Sequence, residues 1–180
     1  LAFAPYQPAE DAGLSLALTR DTCFTRTPQQ SEYTLSYYPD FLPDTTASGS
    51  EVEQLYRNFV YQNYLSVPEE TVRTLVPLSA QLPEMDVQPP EELAEDYRYA
   101  VTTALQAAQL LGEIAEYALD PPAMAEGEDF VAHFLEEGRG YCVHFATTAV
   151  LLLRMNGIPA RYVSGYTADV ISGETVEVPD

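Results

Sequence analysis

The stretch from Gly138 to Tyr166, reading GRGYCVHFATTAVLLLRMNGIPARYVSGY, constrains this chain more than any other. Gly138 and Gly140 flank Arg139 and open a tight loop, because glycine adopts backbone conformations that strain other residues. Cys142 follows, then Val143, Phe145, Ala146, Ala149, Val150, Leu151, Leu152, Leu153 and Met155. These apolar residues wrap nearly all the way round a helix of period 3.6, which predicts a helix buried on most sides. Gly157 stands where a left-handed C-terminal cap belongs, and Pro159 forbids continuation. Arg161 to Tyr166 then reads as a strand rich in aromatic and β-branched residues.

This order bears on chemistry. Cys142 falls at or just before the first turn of the helix, where unpaired backbone N–H groups and the positive end of the helix dipole lie. A helix terminus of this kind favours a thiolate, the nucleophilic form of cysteine. The same N–H groups suit the oxyanion that forms when a carbonyl is attacked. Position alone leaves a second reading open, in which Cys142 is a small buried apolar residue.

The segments Gly140-Tyr141-Cys142-Val143-His144-Phe145-Ala146, Leu153-Arg154, Gly157-Ile158-Pro159-Ala160-Arg161-Tyr162-Val163 and Gly165-Tyr166 resemble the nucleophile region of the transglutaminase-like superfamily, in its bacterial, membrane-anchored branch. Asp129-Phe130-Val131 with Phe134-Leu135, and more weakly Tyr64 to Pro68, extend the likeness upstream. The resemblance implies an α+β fold with a papain-like, transglutaminase-like core, of which this chain holds the N-terminal, mostly helical half. It implies Cys142 as the nucleophile. Tyr141 and His144 become candidates for lining the site or supporting an oxyanion.

A thiol enzyme needs a general base within hydrogen-bond reach, itself oriented by a third group. In the resembled family these are a His and an Asp on strands after the GIPAR segment. The chain has two histidines, His133 and His144, and both precede that segment. Side chains two apart on a helix diverge, so His144 reads as a neighbour of Cys142 rather than its base. His133 reads as a satisfied or exposed histidine. The chain begins at Leu1 and stops at Asp180, about where the family's His segment would start. The expectation is an excised, inactive fragment of an active parent, with Asp180 upstream of the missing His.

The formal net charge of -20 argues against nucleic acid and anionic membrane surfaces, because phosphate partners demand clustered Lys and Arg. All eight basic residues are Arg, so this region cannot act as a Lys amine donor. The two cysteines, Cys23 and Cys142, lie in no metal-ligand spacing; neither a metal nor a cofactor is expected, and no disulfide between them. No apolar run reaches the ~20 residues of a membrane span. The resemblance places the domain outside a bacterial membrane, anchored by spans upstream of Leu1.

Three regions are expected: an arm and small β segment over 1–50, a helical lead-in over 51–85, and the truncated core over 86–180. Leu14 to Arg26 and Ser31 to Tyr38 alternate as two strands. Glu51 to Leu65 has helical spacing, and Ser66 to Glu69 reads as a cap for a second helix that stops before Pro77. Glu91 to Leu119 reads as the longest helix, ~42 Å at the standard rise. Asp129 to Glu136 reads as a short helix before the glycine loop.

Arg154 and Arg161 lie beside a core and must be paired there, so both are expected to brace acidic groups or backbone carbonyls, with Gly157 and Pro159 shaping the turn between them. The partners expected are a protein or peptide amide donor, an amine or water acceptor, and a second copy of the chain at the open edge of the Arg161 strand. Two alternatives stand beside the enzyme: a degenerate binding module that kept the fold, and a structural helical domain with an inert Cys142.

Overall fold

The computed structural model describes residues 16–19, 23–26, 51–91 and 95–164. The expected strand at Ser31 to Tyr38, the Gly165-Tyr166 end of the organising stretch and the chain beyond it lie outside the described residues. In the N-terminal part, β1 (Leu16–Thr19) pairs antiparallel with β2 (Cys23–Arg26), Leu16 opposite Arg26 and Thr19 opposite Cys23. The stretch read as one strand is therefore two. A lone strand leaves its N–H and C=O groups unpaired, and a hairpin with a three-residue connection satisfies them locally. This hairpin belongs to a different unit from the helical body, Ala47–Val163.

The helical body opens with α1 (Glu51–Asn63). Its apolar face does not reach the core: Leu55, Tyr56 and Phe59 are exposed. α2 (Glu69–Gln81) starts after Pro68, whose fixed φ of −58° suits the position before the first turn. The expected Ser66 cap is not made; the Ser66 carbonyl instead accepts a bond from Arg154 Nη1 at 3.1 Å. α2 also continues through Pro77, where a stop was expected. Leu75 and Leu82, both fully or nearly fully buried, hold the chain on either side of the proline. Burial of each such side chain is worth roughly 1.5–3 kcal/mol, comparable with the ~3 kcal/mol a helical proline costs.

α3 (Glu95–Ile114) is shorter at both ends than the expected Glu91 to Leu119. It ends because the next N–H groups find partners elsewhere. Glu116 N donates to Gly138 O at 2.8 Å and Ala118 N to Gly140 O at 2.7 Å. These bonds make β3 (Glu116–Tyr117) and β4 (Arg139–Gly140), a short parallel pair. Between them lies α4 (Phe130–Glu137), closed by Gly138 at φ 60°. α5 (Cys142–Met155) follows β4 after one residue.

α5 packs against α2, α3 and α4. The core is Leu75, Leu82, Ala107, Leu110, Leu111, Val131, Phe134 and Leu152. On α5, His144, Thr148 and Leu152 are buried, one residue per turn on one face, and its other apolar residues are half-buried. The expectation of burial on most sides is corrected accordingly: the packing helices meet α5 along a stripe. Arg161 to Ser164 form no strand among the described residues. Among the described residues no helix is long and apolar enough to cross a membrane.

Candidate active site

Cys142 is the first residue of α5, and its thiol is free and exposed. Tyr141, the N-cap, is extended at φ −114° and ψ −176°. Its carbonyl accepts from His144 N at 2.8 Å and Phe145 N at 3.4 Å, so the helix is closed immediately behind the cysteine. The N–H groups of Cys142 and Val143 belong to the first turn and have no acceptor within the helix. They and the helix dipole offer partial positive charge where the sulfur emerges.

The loop that delivers Cys142 is pinned from two sides. On one side, β3 holds β4 through the bonds to Gly138 and Gly140, and Arg139 pairs with Asp120 at 3.5 Å and Glu116 at 4.0 Å. These ion pairs are exposed and contribute little; the backbone bonds fix the register. Tyr117, level with Gly140 in that pairing, stacks on Phe145 with ring centroids 6.1 Å apart. Phe145 is three residues after Cys142, one turn along the same face of α5.

On the other side lies His144, which is buried. Its ring stacks on Phe130 at 4.8 Å and meets Phe134 at 5.5 Å and Tyr141 edge-on at 4.5 Å. Its Nδ1 accepts from Tyr141 N at 3.3 Å. An imidazole nitrogen that accepts carries no proton, so this bond requires the Nε2–H tautomer. A Cβ built on Gly140 would stand 2.8 Å from His144 Cβ and Cγ and from Phe134 Cε2. Glycine is thus required before Tyr141 by close approach. The spacing of a cap and a polar acceptor three residues on is a capping-box pattern; Tyr141 at the cap is an unusual residue for it, which hid the signal in the sequence.

The remaining candidates are placed as follows. His133 Nδ1 lies 3.2 Å from Glu128 Oε2 and its Nε2 3.3 Å from Pro122 O. Arg154 donates from Nε to Ala160 O at 2.7 Å as well as to Ser66 O. Ala160 N in turn donates to Tyr64 O at 3.1 Å. Arg154 therefore stitches the end of α5, the loop carrying Pro159, and the segment before α2. Arg161 is half-buried and engaged. Gly157, at φ 77°, lets Ile158 N donate to Leu153 O and Gly157 N to Arg154 O, both at 3.0 Å, a Schellman ending. Among the described residues no cluster of His, Cys, Asp and Glu is arranged to hold a metal.

One residue that the sequence reading treated only as part of a lead-in organises the approach to the site. Asp129 caps α4 through Oδ1, which accepts from Ala132 N at 2.8 Å, and its Oδ2 accepts from Thr71 Oγ1 of α2 at 2.5 Å. An Asp directly before an apolar helical run was the available signal.

Residues 91–178 match the model of the transglutaminase-like superfamily. The superfamily includes acyltransferases, and its chemistry in general is acyl transfer or hydrolysis. Among curated proteins, the chain is 55% identical over 42 residues to the uncharacterized protein YebA of Bacillus subtilis, covering 23% of this chain and 6% of that protein. It is 49% identical over 51 residues to a protein-glutamine gamma-glutamyltransferase of Pseudomonas aeruginosa, covering 28% and 7%. It is 48% identical over 46 residues to an uncharacterized protein of Mycobacterium leprae, covering 24% and 16%. The chain therefore spans a small part of the length of each. No solved structure matches it.

Proposed function

We propose that this chain supplies the nucleophile of a thiol acyl-transfer or amide-hydrolysing enzyme acting on proteins or peptides. The observation that carries the reading is a free, exposed Cys142 at the first position of α5, inside the segment that matches the superfamily. The Sγ of Cys142 attacks a carboxamide carbon. The oxyanion that develops is met by first-turn N–H groups, which gain most where water is excluded. The C–N bond breaks, the nitrogen leaves with a proton, and a thioester remains on Cys142. An amine or water then attacks the thioester and returns the thiol. The base that takes the thiol proton is neither His133 nor His144, because both are held by other partners. Placement on the outer side of a bacterial membrane, anchored by other parts of the protein, belongs to the same reading.

A second reading is a binding module that kept the fold and lost turnover. One experiment separates them. Native protein is treated with a peptide carrying a chloroacetamide in place of a glutamine side chain, and adducts are mapped by mass spectrometry. The enzyme reading expects Cys142 to be modified much faster than free cysteine, with Cys142→Ser abolishing the adduct. Modification no faster than that of free cysteine favours the binding module.

A further inference from the structure

We infer that His144 is a positioning residue for Cys142, acting through its bare Nδ1 rather than as a proton carrier; this rests on the reading of Cys142 as nucleophile. Three observations converge on His144. Its Nδ1 takes the N–H of Tyr141, the residue that carries Cys142 into the helix. The His144 backbone N–H donates to the Tyr141 carbonyl at 2.8 Å, so side chain and main chain of His144 both hold Tyr141. And the ring is buried between Phe130, Phe134 and Tyr141, on the side where Gly140 approaches too closely to carry a Cβ.

The alternatives for a buried histidine next to a nucleophile are packing and proton transfer. Packing alone explains the aromatic contacts but not an acceptor directed at a backbone N–H. Proton transfer to the thiol needs a bare ring nitrogen facing the sulfur, and the bare nitrogen here is already occupied by Tyr141. What the geometry leaves is a lock on the backbone. With Nδ1 engaged, Tyr141 stays extended and the first turn begins at Cys142, so the sulfur and the N–H groups of Cys142 and Val143 keep a fixed relation. Without it, a half-buried Tyr141 N–H loses its partner and the first turn frays, as helix ends do when a cap is removed.

Two substitutions cross the roles. His144→Gln keeps an acceptor of the type that serves this position in capping boxes but loses the aromatic ring. His144→Phe keeps the ring and loses the acceptor. Hydrogen exchange of the Tyr141 amide is followed by NMR in each variant, alongside the rate of Cys142 modification by the glutamine-mimicking chloroacetamide divided by its rate with iodoacetamide. Far-UV circular dichroism and urea unfolding report whether each variant is folded. The expected result is wild-type-like protection and rate ratio in His144→Gln. In His144→Phe, exchange is ~5-fold or more faster, on the scale of a lost cap, and the ratio falls. Protection retained in His144→Phe, or lost equally in both, overturns the assignment. The unmodified protein gives an independent check: its 15N spectrum should show His144 as the Nε2–H tautomer with a coupling from the Tyr141 N–H to Nδ1, and a protonated Nδ1 overturns the assignment without any variant. The Tyr141 amide and tautomer readouts do not depend on Cys142 being a nucleophile. A Cys142 that fails to react therefore sinks the enzyme reading alone.

Discussion

Gly140 and His144 touch so closely that a methyl group on the glycine would lie 2.8 Å from the Cβ and Cγ of the histidine. The loop before Cys142 and the ring of His144 are one packed unit, and the glycine is there because a side chain does not fit. Gly140→Ala must push His144 or Phe134 aside. Overpacking of this kind costs about 1–3 kcal/mol. Urea denaturation should show that loss, and the Tyr141 amide should exchange faster than in the parent. Unchanged stability would mean that the His144 ring relaxes freely.

Asp129 joins two helices with one carboxylate. One oxygen caps α4 and the other accepts from Thr71, which is 1% exposed. Asp129→Ala removes a cap and leaves a buried hydroxyl without its acceptor. A loss of roughly 2–4 kcal/mol is expected from the two together. Asp129→Asn keeps one oxygen as a cap and should lose less. Chemical denaturation of the two variants, with Thr71→Val beside them, apportions the pair.

Arg154 is charged but binds carbonyls. Its Nε and Nη1 reach Ala160 O and Ser66 O from one planar fork. Lysine carries a single donor centre and cannot span both acceptors in the same way. Arg154→Lys is expected to cost about 1–2 kcal/mol. It should also speed exchange at Ala160, whose N–H depends on the same stitch to Tyr64. Exchange at Tyr141, at the other end of α5, should not change.

Gly157 has open space around it, so its φ of 77° alone requires glycine. Gly157→Ala is expected to cost about 1 kcal/mol, the penalty for a side chain in the left-handed region. Gly157→Asn should lose less, since Asn tolerates that region. Thermal unfolding of both measures the difference, and equal losses would point to a contact of the substituted side chains instead.

Much of the site was legible in the sequence because its signals are local. Cys142 at the helix start and the end at Gly157 follow from residue order, and the run after the cysteine marks a helix whatever surrounds it. The family likeness is also a matter of order, carried by GYCVHFA and GIPAR. Other elements were misread where distant partners decided. The end of α3 is set by carbonyls at Gly138 and Gly140, more than twenty residues on, and no local pattern in Leu111 to Leu119 announces them. Pro77 sits inside α2 because Leu75 and Leu82 are buried by other helices, a tertiary effect that overrides a local breaker. The α1 stripe of Leu55, Tyr56 and Phe59 has the right spacing for burial and is nevertheless exposed, since spacing says which face is apolar and not whether anything covers it.

The sequence by itself determined that a cysteine stands at the head of a helix after a glycine loop, because helix start, helix stop and loop chemistry act within a few residues. Only the tertiary structure decided what holds that cysteine. The ring of His144 caps its own helix because Phe130, Phe134 and Gly140 pack around it, and β3 fixes the loop from the far end of α3. Those partners are brought together by burial, which depends on the whole chain and leaves no mark at the residue it constrains.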